Sequence, residues 1–180
     1  MIILKPESIY AAFPGARKED IDIRLPKVLN ALEANLLTTP RAIAYALATI
    51  AVECAGFVPL TEYVSHYNTD PEGPSYGRYE GRVDLGNVHS GDGAKYCGRG
   101  FIQLTGRANY EKYGERISVD LIQYPVLAIN TQVAADILAL FIADRWQKID
   151  AALQKTISLP RARPSMVVRM GWIGLRQPTK

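Results

Sequence analysis

This chain of 180 residues has little of what staples, ligates or anchors a protein. Its two cysteines, Cys54 and Cys97, make no disulfide framework. They could lie near each other, but buried free thiols are the expected state. Its two histidines, His66 and His89, have no second His, Cys or Asp at a ligand-like spacing, so neither a metal nor another cofactor is expected. The longest nearly apolar stretch, Ala42 to Val52, falls well short of the ~20 residues that span a bilayer. Membrane insertion is therefore not expected. Met1 to Glu7 is too short an apolar segment for a secretory signal and is interrupted by Pro6, so the protein is expected to start in the cytoplasm. Polybasic runs are missing and the net charge is only +3, so nucleic acid is not an expected partner.

What is present is an ordinary globular composition, 48% hydrophobic and 22% charged. The length suits a single domain over residues 1–180 with a sizeable core, and a monomer is the default expectation. The pattern along the chain is mainly helical. Ser8 to Phe13 and Lys18 to Leu36 read as the first two helices, with Pro26 an early helical residue or a kink. Thr39-Pro40 is a start signal, an N-cap followed by proline at the first helical position. Ile43, Leu47, Ile50 and Cys54 then recur at helical spacing until Gly56 and Pro59 end the helix. Tyr63 to Gly93 is rich in Gly, Pro, Asp, Ser and Tyr and reads as a long loop, a feature usually functional in a compact domain. A short strand pair around Gly98 to Thr105 precedes a helix over Ala108 to Glu115. One final helix is predicted from Thr131 to about Lys155.

The segment from Lys95 to Tyr110 carries the most information. Gly98 and Gly100 suit a tight turn. In an extended chain, Phe101, Gln103 and Thr105 would then face one way and Ile102 and Leu104 the other. One face would anchor in a core while the other offered a ring, an amide and a hydroxyl.

Taken together, Gly98-Arg99-Gly100-Phe101-Ile102-Gln103-Leu104-Thr105, with Asn109-Tyr110 following, resembles the signature of the family-19 glycoside hydrolases. That chitinase-like group also includes many bacteriophage endolysins. Gly81 to Asn87 and Gly91-Asp92-Gly93 look like its phage and bacterial branch, and the resemblance runs from about Ala42 to about Phe141. It implies a mainly α, lysozyme-like α+β domain with a small β-hairpin and a central substrate cleft. It also implies hydrolysis of β-1,4 links in peptidoglycan or a related amino-sugar polymer. A lysin of this kind would wait in the cytoplasm and act on the cell wall after release. A chitinase, a disabled wall-binding lysin and a lytic transglycosylase are the rival readings.

Glu53 closes the apolar run Ile50-Ala51-Val52, where partial burial and the negative end of the helix dipole both disfavour its charge. A carboxylic acid that keeps its proton is what a glycosidase needs to protonate a leaving oxygen. Glu53 also matches the family's general-acid position. Its expected partner is Glu62. On one continuous helix the two would lie ~13 Å apart on opposite faces, but Gly56 and Pro59 let the chain fold back. The family places its second carboxylate variably, so Glu72 and Glu80 remain rivals. By resemblance, Thr105 would position the attacking water, and Tyr96, Arg99, Gln103, Asn109 and Tyr110 would line the sugar sites. A structural role for Tyr110 within the hairpin is equally open.

The C-terminus departs from the family. Relatives carry Val-Asn-Gly-Gly where this chain reads Arg163-Pro164-Ser165-Met166-Val167-Val168. In the frame joining the last base of each codon to the first two of the next, Met166-Val167 and Met170-Gly171 both force glycine, and Trp172-Ile173 forces aspartate. Permitted third bases complete Val-Asn-Gly-Gly-Ser-His-Gly-Leu-Asp. The expectation is a reading-frame slip just before Arg163, making residues 163–180 an atypical tail. Encoding DNA that cannot spell Asn-Gly-Gly in the shifted frame would rule this out.

Overall fold

The computed structural model describes residues 5–54 and 56–158. The reading-frame expectation for residues 163–180 lies outside them. The described chain is mostly helical: α1 (Pro6–Ala12), α2 (Lys18–Ala34), α3 (Pro40–Glu53), α4 (Asp92–Lys95), α5 (Arg107–Ile117), α6 (Thr131–Ala143) and α7 (Trp146–Ser158). Two short strands, β1 (Leu60–Thr61) and β2 (Arg99–Gly100), pair antiparallel with Leu60 opposite Gly100 and Thr61 opposite Arg99. The expected mainly α architecture with a small β element is thus observed.

α6 is the central helix, because both of its flanks must be buried. Its small residues Ala134, Ala135 and Ala139 allow close approach, while Ile137, Leu138 and Ile142 fill the gaps. α2 packs along it, burying Ile21, Val28 and Leu32. α2 continues through Pro26, which lies in its interior and is not an early helical residue. α3 starts as the sequence indicates: Thr39 accepts a hydrogen bond from the Ala42 amide and Pro40 opens the helix. Its apolar face, including Ala42, Ala46 and Ile50, is fully buried. Asn130 caps α6 in the same way, accepting from the amides of Gln132 and Val133.

Two expectations are corrected. The single helix predicted from Thr131 to about Lys155 is broken at Asp144-Arg145 into α6 and α7. Apolar periodicity runs on through the break, but tertiary partners redirect the chain. The Asp144 carboxylate accepts from Lys112 Nζ at 2.9 Å and Arg116 Nη1 at 2.8 Å, both on α5. Arg145 turns back to donate to the Phe141 carbonyl and lies over the Phe141 ring. Past the break, α7 is tied to α3 by an Arg41–Asp150 ion pair of 2.7 Å.

The second correction concerns the alternation from Phe101 to Thr105, which is a turn and not an extended strand. Arg99 and Leu104 exchange backbone hydrogen bonds of 3.2 and 2.8 Å, closing a loop over Gly100 to Gln103. Gly100 and Gln103 both have positive φ, +82° and +51°. Phe101, Ile102 and Leu104 are all buried, so the Phe101 ring joins the core instead of offering itself to a ligand. It continues an edge-to-face aromatic series with Phe57 and Phe13, at centroid distances of 6.0 and 4.7 Å. The sequence alternation thus lies on a tight turn whose apolar residues reach the core in succession. No described helix is long and apolar enough to cross a membrane.

Candidate active site

The site is organised around β2 and the glycine before it. After α3, Cys54 is buried and its thiol meets the Gly100 carbonyl at 3.4 Å. The chain then reverses through Phe57, fully buried in the left-handed region, and returns as β1. Glu62, just past β1, donates its amide to the Gly98 carbonyl at 2.8 Å. The Gly98 amide donates in turn to Glu62 Oε1 at 2.5 Å. Gln103 locks the reversal by donating to the carbonyls of Leu60 (3.2 Å) and Gly100 (3.1 Å). The residue after Glu53 and the residue Glu62 itself are therefore tethered to one three-residue segment, Gly98 to Gly100.

The two carboxylates have opposite surroundings. Glu53 is partly buried at the end of α3, and its carboxyl accepts no hydrogen bond from a described residue. Desolvation by burial holds its pKa above the ordinary value of 4.5. Glu62 is ringed by donors: besides Gly98, Asn68 Nδ2 at 3.1 Å and Tyr79 Oη at 3.0 Å donate to its Oε2. The Tyr76 hydroxyl donates to the Glu62 carbonyl at 2.8 Å. Phenol burial and the nearby carboxylate push the Tyr79 pKa up, so its proton stays in place to donate.

Asn68, Tyr76 and Tyr79 were not anticipated from the sequence. Asn68 is 2% exposed and uses its whole amide. Its Nδ2 serves Glu62 and the Tyr63 carbonyl, and its Oδ1 accepts from the Ser65 amide and the Thr69 hydroxyl. A polar residue in a loop without periodicity carries no sequence signal that it will be buried.

The other anticipated residues fall into three positions. Thr105 is half-buried and its hydroxyl donates to the Gln103 carbonyl at 2.8 Å, which leaves its oxygen lone pairs as acceptors. Asn109, also half-buried, donates to the Thr105 carbonyl at 2.8 Å. Tyr96 and Tyr110 lie beneath, with no exposed surface to offer a sugar. Tyr110 donates to the Cys97 carbonyl at 2.7 Å and accepts from Arg99, while Tyr96 donates to the Ile122 carbonyl and accepts from Arg107. Arg99 also binds the Lys95 carbonyl, so it acts as a strut under the turn. Of the rival carboxylates, Glu72 is exposed in a turn. Glu80 spends both oxygens on the amides of Gly91 (2.6 Å) and Gly93 (2.8 Å), fastening the start of α4.

Among the described residues no group of His, Cys, Asp and Glu could hold a metal ion. Both cysteines are free and buried. Burial pushes the Cys54 thiol up to about 12, and raises Cys97 as well.

Gly98 has a specific role. A Cβ placed there would stand 3.1 Å from Glu62 Cδ and Oε1 and 3.0 Å from Gln103 Oε1. Gly98→Ala should displace the Glu62 carboxylate and Gln103 amide, the side chains that a Cβ there would meet first, while the helices persist. The expected result is at least about a tenfold fall in turnover with an unchanged circular dichroism spectrum. Wild-type turnover would show that the Gly98–Glu62 contact is immaterial.

Known proteins can be compared with this arrangement. The family model described as chitinase class I, glycoside hydrolase family 19, matches residues 32–165. A glycosyl hydrolase family 19 domain-containing protein of Haemophilus influenzae is 40% identical over 63 residues, 35% of this chain and 30% of that protein. Chitinase C from Streptomyces griseus HUT6037 superposes with a TM-score of 0.53 at 24% identity, over 76% of this chain and 53% of its own. A glutamate-to-glutamine mutant of chitinase C gives a TM-score of 0.54 at 23% identity, over 74% and 52%. At such identities the likeness is one of fold. This chain spans about half the length of the chitinases it superposes on.

Proposed function

The chain belongs to the chitinase class I family, glycoside hydrolase family 19, and from that premise we propose that it hydrolyses β-1,4 links in peptidoglycan glycan strands by an inverting acid–base mechanism. The observation that carries this reading is the pair of glutamates with opposite environments: Glu62 is bound to Gly98, and Cys54, the residue after Glu53, to Gly100. Inverting glycosidases hold their carboxyl groups ~6.5–9.5 Å apart, with room for a water between.

Glu53, whose charged form burial disfavours, gives its proton to the glycosidic oxygen as the C–O bond breaks. The bond's electron pair leaves with that oxygen. Glu62, held as an acceptor by Gly98, Asn68 and Tyr79, takes a proton from water as the water oxygen attacks the anomeric carbon from the opposite face. Thr105 offers only lone pairs, because its own proton is committed to Gln103. It therefore accepts the water's second hydrogen and aims the oxygen lone pair at carbon. The product carries a new reducing end with inverted configuration.

An endolysin role, with action on the wall after release from the producing cell, is supported by the Gly81 to Asn87 and Gly91 to Gly93 segments, which resemble the phage and bacterial branch. Chitin is the rival substrate, favoured by the two superposable chitinases. Digestion of purified peptidoglycan and of chitin oligomers, with mass spectrometry of the products, separates these readings. New reducing ends from peptidoglycan support the proposal, and products from chitin alone establish a chitinase. A 1,6-anhydro sugar would show transglycosylation instead.

The raised pKa of Glu53 also fixes a pH dependence. Activity needs its proton, so kcat/KM should fall as pH rises through the Glu53 pKa. That descending limb should lie above the ordinary carboxylate value, because burial raises the pKa. A limb at the ordinary value, read from a pH–rate profile, would remove the acid role from a desolvated Glu53.

A further inference from the structure

Of the ten tyrosines in the chain, seven divide by use. Tyr96, Tyr110 and Tyr113 are buried in the core. Tyr76 and Tyr79 turn their hydroxyls onto Glu62. Tyr63 and Tyr67 do neither: they are 80% and 77% exposed, and Val64 beside them is 54% exposed. Large apolar groups left in water need either a reason or a partner.

These rings stand on a backbone that is held as firmly as the catalytic residue beside it. Tyr63 directly follows Glu62, and its carbonyl accepts from Asn68 Nδ2 at 2.8 Å, the same amide that binds the Glu62 carboxylate. The Ser65 carbonyl accepts from the Asn68 and Thr69 amides, at 3.1 and 2.9 Å. The Tyr67 amide donates to Ser65 Oγ, and the Tyr67 ring rests against His66 with centroids 3.8 Å apart. The loop thus displays two aromatic side chains from a fixed base, with one ring backed by an imidazole. Such a surface loses little conformational entropy when it binds.

We infer that Tyr63 and Tyr67 form a stacking platform for a sugar ring of the glycan, on the Glu62 side of the bond to be cut. A β-linked pyranose presents C–H bonds on its faces and hydroxyls around its rim. The C–H face suits the negative face of an aromatic ring, while the tyrosine hydroxyl can reach the rim. The Asn68 amide that binds the Glu62 carboxylate also binds the Tyr63 carbonyl, so the carboxylate and the backbone that carries the platform share one anchor. The inference rests on the glycan-hydrolase reading for its ligand, but not on turnover.

The test uses the full chain with Glu53→Gln as the binding parent, and adds Tyr63→Ala, Tyr67→Ala, both together, and Tyr67→Trp. Binding to purified peptidoglycan and to chitin is measured by co-sedimentation. The same platform changes in the wild-type background are read as KM and kcat. Each alanine should weaken binding by about three- to tenfold, the range that single aromatic contacts supply. The double change should raise KM while leaving kcat at saturation close to wild type, and Tyr67→Trp should bind like the parent. Melting temperatures should not move, because both side chains are exposed. Alanine variants that bind and turn over like their parents overturn the platform, as does a parent that binds neither polymer. A wild type that binds through these tyrosines but releases no product sinks the hydrolase reading and leaves the platform standing.

Discussion

Replacing Glu53 with glutamine should abolish hydrolysis and, at neutral pH, make the protein more stable. Both effects follow from one observation, a partly buried carboxyl that accepts no hydrogen bond from the described residues and has its pKa raised by desolvation. The loss of activity should be at least about 10²–10⁴-fold, the usual contribution of a positioned general acid. The stability change has a definite sign. Below the ordinary carboxyl pKa of 4.5, Glu53 is protonated in both folded and unfolded chains and contributes no penalty. As pH rises through the window between the unfolded and the raised folded pKa, the unfolded chain releases the proton first and wild-type stability falls. Glutamine cannot ionise and escapes that loss. Thermal melts of the two proteins should therefore coincide at acidic pH and diverge above the window, with the variant higher. A variant less stable than wild type at pH 7 would show that Glu53 has a stabilising partner as an anion.

Glu62→Gln should also eliminate turnover, again by about 10²–10⁴-fold, but with the opposite effect on stability. Every polar neighbour of the Glu62 carboxylate is a donor: the Gly98 amide, the Asn68 amide and the Tyr79 hydroxyl. A glutamine must turn its NH₂ toward one side of that ring, where two hydrogens would face each other. An unmet donor in a partly buried site costs about 1–3 kcal/mol. Tyr79 can relieve part of this by rotating its hydroxyl, so Tyr79→Phe combined with Glu62→Gln should not add its full separate effect. Two substitutions of the same chemical type, nine positions apart in sequence, are thus expected to inactivate equally and to move the melting temperature in opposite directions. Parallel changes in melting temperature would contradict the environments described for these side chains.

The sequence shows some of these features and hides others for physical reasons. The position of Glu53 at the end of α3 was legible because that helix carries local signals at both ends, Thr39-Pro40 at its start and apolar spacing that runs out near Gly56, whereas its acid role came from the family resemblance. The return of the chain toward Glu62 followed from Gly56 and Pro59. The means of holding Glu62 were not legible. Asn68, Tyr76 and Tyr79 come from a loop without periodicity, and their burial depends on contacts formed only in the folded chain. Phe101 to Thr105 misled because apolar and polar residues alternate there as in a strand, whereas the turn buries the adjacent Phe101 and Ile102 together with Leu104. The positive φ of Gly100 and Gln103 sets the turn apart from a strand. The break between α6 and α7 was hidden because Asp144 is fixed by residues of α5, whose influence no local window contains. Resemblance supplied Tyr96 and Tyr110 as site residues, and burial assigns them instead to the support beneath it.

The measurement that bears most directly on the paired-glutamate account is the anomeric configuration of the first product. Proton NMR during hydrolysis of a β-1,4-linked amino-sugar oligomer or of solubilised glycan strands resolves the two anomers before they equilibrate. The account predicts that the α-anomer appears first, because water activated by Glu62 attacks the face opposite the leaving group protonated by Glu53. Initial accumulation of the β-anomer would mean retention, and with it a covalent or substrate-assisted route that the Glu53–Glu62 pair described here does not provide.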